Sequence, residues 1–224
     1  MTLALALVVA PVLANGQTTH IWITRHALEH LPEGELRTLL TRKDLETPLI
    51  NGAMFPDGGY ATGHEYGEEA HWFEFQSRYR DWIRDSYAPD PWSDEAGWHV
   101  AFLMGMVSHG MADQAFDAMY FDWSRIYDAE YGWAEGISFD EASDVLWAAL
   151  TGPQEVPSRE LPGEIFVQLF AEHGVEVDEQ TLEDGQTLLG AAIDLVGLMS
   201  EEPDIVRGYQ EAFPWGGAHL LDGY

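Results

Sequence analysis

"DEAGWHVAFLMGMVSHGMADQAFDAMY" runs from Asp94 to Tyr120. Phe102, Met106, His109, Asp113 and Asp117 follow one another in it at intervals of four, three, four and four. Residues so spaced share one stripe of an α-helix. Leu103, Val107, Met111 and Phe116 beside that stripe leave little of the helix polar. The helix is therefore expected to be buried, with its carboxylates inside. An unpaired buried carboxylate costs several kcal/mol, comparable with the stability of a whole domain. Something positive must face it. A bound metal cation is one answer. An Asp–His pair, together with an Asp–Arg pair through Arg78 or Arg25, is the other.

Positive charge is scarce elsewhere in the chain. Its 224 residues hold 10 Lys and Arg against 39 Asp and Glu, a formal net charge of -29, and Lys43 is the single lysine. That balance disfavours nucleic-acid backbones, so no stable nucleic-acid binding is expected. It equally disfavours docking on anionic membranes by charge. Cysteine is absent. Disulfides and thiolate ligands are thereby excluded, and a zinc-type site has to use His, carboxylates, water or backbone groups. Nine Trp, nine Tyr and ten Phe are enough to build a core, and the length suits one domain.

Around the central helix, further helical stretches follow one another. "THIWITRHALEHL" (19–31) reads as a helix capped by Thr18 or Thr19 and closed by Pro32, with His20 at its start; a second covers about 33–43. "LINGAMFPDGGYATGHEYGEEA" (49–70) reads as a long Gly-rich loop, in which "FPDGG" sets Asp57 at a sharp turn. "HWFEFQSRYRDWIRDSY" returns to helical period, with His71 at its start. "APDPWSDE" connects it to the central helix, with Ser93 or Asp94 as N-cap. "ISFDEASDVLWAAL" opens another helix, carrying Asp140 and Asp144, which as first-turn residues can also be solvent-exposed. Helices near 164–173, 181–200 and 203–211 complete the chain. Strand-like alternation is nearly absent, so the fold class is all-α in a single domain.

Two further motifs call for a reading. "MTLALALVVAPVLANG" is apolar to Ala14, the length of a signal-peptide core and too short to cross a bilayer, with Val12 and Ala14 before a cleavage point. The expected division is a signal peptide at 1–14 and a domain at 15–224, with a secreted or periplasmic location. "HALEH" (26–30) satisfies the H-x-x-E-H pattern of inverzincin peptidases, but with three fixed letters a solvated helix face is the better reading.

Taken together, "THIWITRHALEHL", "MFPDGGY", "EEAHWFEF" and "AFLMGMVSHGMADQAFD" resemble, in that order, the zinc-dependent phospholipase C family. That group includes the glycosylphosphatidylinositol-specific phospholipase D catalytic domain and, more distantly, the P1-type nucleases. The late "EAFPWGGAHL" is also similar to a Gly-Gly segment of the family. The resemblance implies a multi-helix phospholipase C/P1 nuclease-like fold with a metal cluster in a cleft. One metal would take Asp57, His71, His109 and Asp113. A second would take His20, the bridging Asp113, and the amine and carbonyl of Asn15 as the mature terminus. These two sites imply Zn²⁺. At the third the chain departs from the family's histidines, and Asp117, Asp140 and Asp144 stand there instead. An all-carboxylate set leans toward Mg²⁺, Mn²⁺ or Ca²⁺ over Zn²⁺, or holds no ion. The implied activity is phosphodiester hydrolysis by metal-activated water, with Asp57 as general base. The implied substrate is a phospholipid or another small phosphodiester, met in transient contact with a membrane surface. A related nuclease or phosphoesterase, and a non-enzymatic metal-binding descendant, are the alternatives.

Overall fold

The computed structural model describes residues 16–90 and 92–223. Among these residues the chain is all-α, with no strand. In order, the helices are α1 Gln17–His30, α2 Glu35–Leu40, α3 Glu46–Thr62, α4 Tyr66–His71, α5 Phe73–Ser86, α6 Asp94–Phe116, α7 Asp122–Tyr127, α8 Gly132–Glu135, α9 Phe139–Thr151, α10 Gly163–Glu172, α11 Glu179–Ser200, α12 Pro203–Ala212 and α13 Pro214–Gly223. The expected cleavage segment 1–14, and Asn15, lie outside the described residues. No described helix is long and apolar enough to cross a membrane.

The architecture is built on α3 and α6. α6 starts where its sequence says, with the Ser93 hydroxyl accepting from the Ala96 N–H at 3.3 Å. Its α-helical pattern ends at Phe116, and a π-helical turn, Asp117–Phe121, carries the chain into α7. α3 occupies most of the stretch expected to be a loop. It contains Pro56, and every residue from Pro48 to Gly59 is buried in it. The glycines that read as turn formers serve close packing instead. A Cβ on Gly52 would stand 2.0 Å from the Phe102 carbonyl oxygen, and one on Gly105 would stand 2.1 Å from that of Leu49. α3 and α6 thus cross backbone to backbone, and tertiary contact overrides weak local propensity. α3 stops at Gly63, whose φ of 71° is left-handed and whose N–H caps Tyr60.

Other boundaries differ from expectation for identifiable reasons. α1 begins at Gln17, so Thr18 and Thr19 lie inside it; its cap comes from a distant carboxylate, Asp144. His71 ends α4 instead of opening a helix. Trp72 is extended at φ -101° and ψ 154°, and the Gln76 amide donates to the carbonyl of His71 at 3.1 Å. "PWGGAHL", for which the sequence offered no helix, is helical in α13. The buried Asp128 carboxylate accepts from the N–H groups of Trp215 and Gly216 at 2.8 and 2.9 Å and caps that helix.

The apolar interior is divided into separate clusters. The largest, around Phe55, Tyr66, Phe75, Tyr79, Phe102, Phe166 and Phe170, joins α3, α4, α5, α6 and α10. Ile21, Ile50, Met54, Leu189 and Ile193 knit α1 and α3 to α11. Phe116, Phe139, Phe213 and Leu220 hold the C-terminal helices to the end of α6. Each fully buried aromatic or aliphatic side chain contributes about 1.5–3 kcal/mol. The faces of α1, α3 and α6 between these clusters carry polar groups that are nevertheless buried.

Candidate metal centre

On α6, His109 is 0% exposed and Asp113 8% exposed, as the helical stripe requires. Asp57 comes from α3 and is 0% exposed; it sits on a helix and not at a sharp turn. His71 arrives from the end of α4, and His20 from the first turn of α1 at 0% exposure. These five converge. His71 Nε2 lies 3.3 Å from Asp57 Oδ1 and 3.5 Å from Asp113 Oδ2. His109 Nε2 lies 3.7 Å from Asp57 Oδ1 and 3.2 Å from Asp113 Oδ2. The two Nε2 atoms stand 3.0 Å apart. On the other side of the same carboxylate, His20 Nε2 is 3.1 Å from Asp113 Oδ1, and its ring stacks on that of His109 at 3.7 Å.

The protons on these rings can be assigned. His71 Nδ1 faces the Gly67 carbonyl at 2.5 Å and His109 Nδ1 faces the Ala53 carbonyl at 2.6 Å. A carbonyl oxygen only accepts, so each neutral ring carries its proton on Nδ1. Each Nε2 then presents a lone pair to the other Nε2 and to carboxylate oxygens. Asp57 Oδ1, both Asp113 oxygens and both His20 nitrogens are buried without a hydrogen-bond partner. Gln17 Nε2 donates to Asp57 Oδ2, which leaves Oδ1 as the oxygen aimed at the histidines. Acceptors facing one another without a donor fit a divalent cation. Four ligand atoms held tetrahedrally at ~2.0–2.1 Å from zinc stand about 3.3 Å apart. The five separations among His71 Nε2, His109 Nε2, Asp57 Oδ1 and Asp113 Oδ2, from 3.0 to 3.7 Å, bracket that value. A ligating imidazole whose other nitrogen donates to a carbonyl is the usual supporting arrangement.

Without an ion, protons take over part of this task. Burial opposes charge on His20, but Asp113 beside it raises its pKa above the ordinary histidine value. His71 is likewise raised against burial, by Asp57. His109 is lowered by burial and by His20. Burial works against ionisation of Asp113, and His109 and His20 overcome it, holding the carboxyl well below the usual range. Neither arginine of the alternative reading pairs with these carboxylates: Arg25 pairs with Glu46 at 3.2 Å, and Arg78 is exposed.

The remaining candidates are placed differently. Asp117 is exposed on the π-turn, its pKa raised by partial desolvation of the carboxyl and by Asp113. Asp140 is 5% exposed, with Oδ2 accepting from Ser138 at 3.2 Å and Oδ1 unpartnered; burial raises its pKa to about 8. Asp144, 3% exposed, accepts four hydrogen bonds from Thr18 and Thr19. Neither Asp140 nor Asp144 is therefore an exposed first-turn residue. Among the described residues, the groups able to hold a metal are His20–His109–Asp113 and Asp57–His71–His109, and Asp117, Asp140 and Asp144 are in neither. "HALEH" is a helix face as expected: His26 Nδ1 bonds the Trp22 carbonyl at 2.8 Å, while Glu29 and His30 are exposed. Neither Gln17 nor the Thr18–Thr19 pair is legible in the sequence, since their partners are 40 and about 126 positions away.

Residues 19–115 match the family described as zinc dependent phospholipase C. Phosphatidylinositol-glycan-specific phospholipase D of Bos taurus is 36% identical over 108 residues, 44% of this chain and 12% of that protein. The Rattus norvegicus protein of that name is 30% identical over 112 residues, 46% of this chain and 13% of its own length. The Homo sapiens protein is 32% identical over 112 residues, again 46% and 13%. The matched part is thus a small fraction of these relatives' length. No solved structure matches the chain. The segment from 19 to 115 holds all five converging side chains and is similar to the zinc dependent phospholipase C family, as its motifs imply.

Proposed function

We propose that this chain is a metal-dependent phosphodiester hydrolase of the phospholipase C type, acting on a phospholipid-like substrate. The observation that carries the reading is the pair of Nε2 lone pairs, 3.0 Å apart and facing carboxylate oxygens that have no donor. When bound, metal ions supply an activated water as nucleophile and positive potential for an anionic phosphate. The chain's own residues hold and orient. Asp57, His71, His109 and Asp113 Oδ2 form one ion site. Asp113 Oδ1 and His20 form part of a second, completed by Asn15 as the mature terminus. Gln17 restricts Asp57 to Oδ1, the one oxygen through which it can hold an ion or take a proton as base. The reading includes export of the chain with cleavage after Ala14, which N-terminal sequencing of the mature protein checks.

The acidic surface favours small or zwitterionic phosphodiesters over long nucleic acids.

The test is hydrolysis of phosphatidylcholine, phosphatidylinositol and bis(p-nitrophenyl) phosphate by the zinc-loaded protein, before and after chelation. Turnover that chelation removes and zinc restores is expected, and Asp113→Ala should abolish it. Bound zinc with no turnover on any phosphodiester would assign the chain to metal binding without catalysis.

A further inference from the structure

Asp144 stands where the resemblance calls for a metal ligand, but its carboxylate is already occupied. Oδ1 accepts the Thr18 hydroxyl at 2.5 Å, the Thr19 N–H at 2.9 Å and the Thr19 hydroxyl at 2.9 Å, and Oδ2 accepts the Thr18 N–H at 3.1 Å. Three donors crowd Oδ1, whose two lone pairs they fill, and a fourth meets Oδ2. The N-cap of α1, Gly16, has no side chain with which to cap the helix, so Asp144 satisfies the first N–H groups from α9. The approach is close: a Cβ on Gly16 would lie 2.1 Å from that of Asp144. Gln17 ties the same helical turn to Asp57 of α3. His20 follows within that turn, and its N–H bonds the Gly16 carbonyl at 3.1 Å. Its Nε2 lies 3.1 Å from Asp113 Oδ1, its ring stacks on His109, and its Nδ1 has no partner. The backbone under it therefore decides whether the imidazole reaches Asp113.

We propose that Asp144 is a positioning residue, not a metal ligand: clamped by Thr18 and Thr19, it fixes the first turn of α1 so that His20 faces Asp113, and the chain carries a two-metal centre. The inference rests on the metal-centre reading above and removes the third ion that the resemblance implies. Asp140 and Asp117 do not complete a third site around Asp144, because no group of three ligand atoms forms among them.

The test uses the full mature chain. Zinc stoichiometry and affinity are measured by elemental analysis and by competition with a chelator, and cobalt substitution reports each site by its absorption. Helix content by circular dichroism serves as the fold control. The wild type is expected to bind two ions. His20→Ala, as reference, should lose one and keep the other. Thr18→Val/Thr19→Val leaves Asp144 in place and removes two of its donors. It should weaken only the second ion, by about 10–100-fold, the usual effect of removing an outer partner of a metal ligand. Thr18→Ser/Thr19→Ser keeps both hydroxyls and should restore binding. Asp144→Asn should behave like the valine pair. Three ions in the wild type, with one lost in Asp144→Asn and none weakened in the valine pair, would make Asp144 a ligand and overturn the proposal. So would a valine pair with unaltered affinity for both ions. A wild type that binds no ion would instead overturn the metal-centre reading itself.

Discussion

At the scale of single residues, the centre works by restricting choices. Gly67 and Ala53 carbonyls decide the tautomers of His71 and His109, and Gln17 decides which oxygen of Asp57 is free. Gln17→Ala should therefore weaken zinc at the His71–His109 site by about 10–100-fold without loss of helix content, as read by competition titration. A different residue, His99, sets an acid sensitivity. The Tyr79 hydroxyl donates to His99 Nδ1 at 2.7 Å among the rings of Trp82, Tyr87 and Trp98, and burial pushes its pKa down to about 4. The folded state thus holds His99 neutral, while the unfolded chain protonates it near 6.5. Its contribution is intact above about pH 6.5 and is lost as pH falls toward 4. Urea unfolding across that window should show a shallower loss in His99→Gln, which retains an acceptor for Tyr79, than in the wild type.

At the scale of elements, the α3–α6 crossing brings Asp57 to His109 and Asp113. Only glycine fits at Gly52 and Gly105, where an added Cβ would strike a carbonyl oxygen. Gly105→Ala should force the helices apart, cost about 1–3 kcal/mol or more, and loosen zinc with it. Thermal unfolding and metal retention check both effects. Gly208, exposed in α12 with nothing near its missing Cβ, is the control. Gly208→Ala should leave zinc untouched and stabilise the protein by about 0.5–1 kcal/mol. The stretch 49–70 reads as a loop because Gly and Pro mark turns locally, yet most of it is helical in α3. In α3 the same glycines permit contact with helices that the local sequence does not contain. His71 reads as a helix start but ends α4 for a similar reason, since the Gln76 side chain that satisfies the α4 terminus comes from the next helix.

For the whole molecule, the distribution of charge decides how stability depends on the ion. A net charge of -29 already opposes compaction, and the buried acceptors add to it. Binding of an ion to the folded state alone stabilises it by about 4 kcal/mol at a thousandfold excess over Kd. For a domain of this size that is about 10 °C in Tm. Chelation should lower the melting temperature by that order, and readdition of zinc should restore it. A Tm indifferent to chelator would remove the argument that buried carboxylates are held in place by cations.

Helical class, the buried stripe on α6 and the pairing of His109 with Asp113 were legible in the sequence alone. All three follow from a period of 3.6 residues, and that period is a property of neighbouring positions. The resemblance added His20, Asp57 and His71, and the structure brings them to that stripe. What only the tertiary structure decided is which lone pairs face one another and which carboxylates are already engaged. Asp113 and Asp144 look alike in sequence, each an Asp on an apolar helix face. Asp113 meets three imidazoles and no donor but their protons, whereas Asp144 meets the N-terminal turn of α1 and four donors. The difference lies in what the chain brings to each from afar, His71 and His20 to Asp113 and Thr18 and Thr19 to Asp144, because an oxygen's chemistry is set by its partners in space.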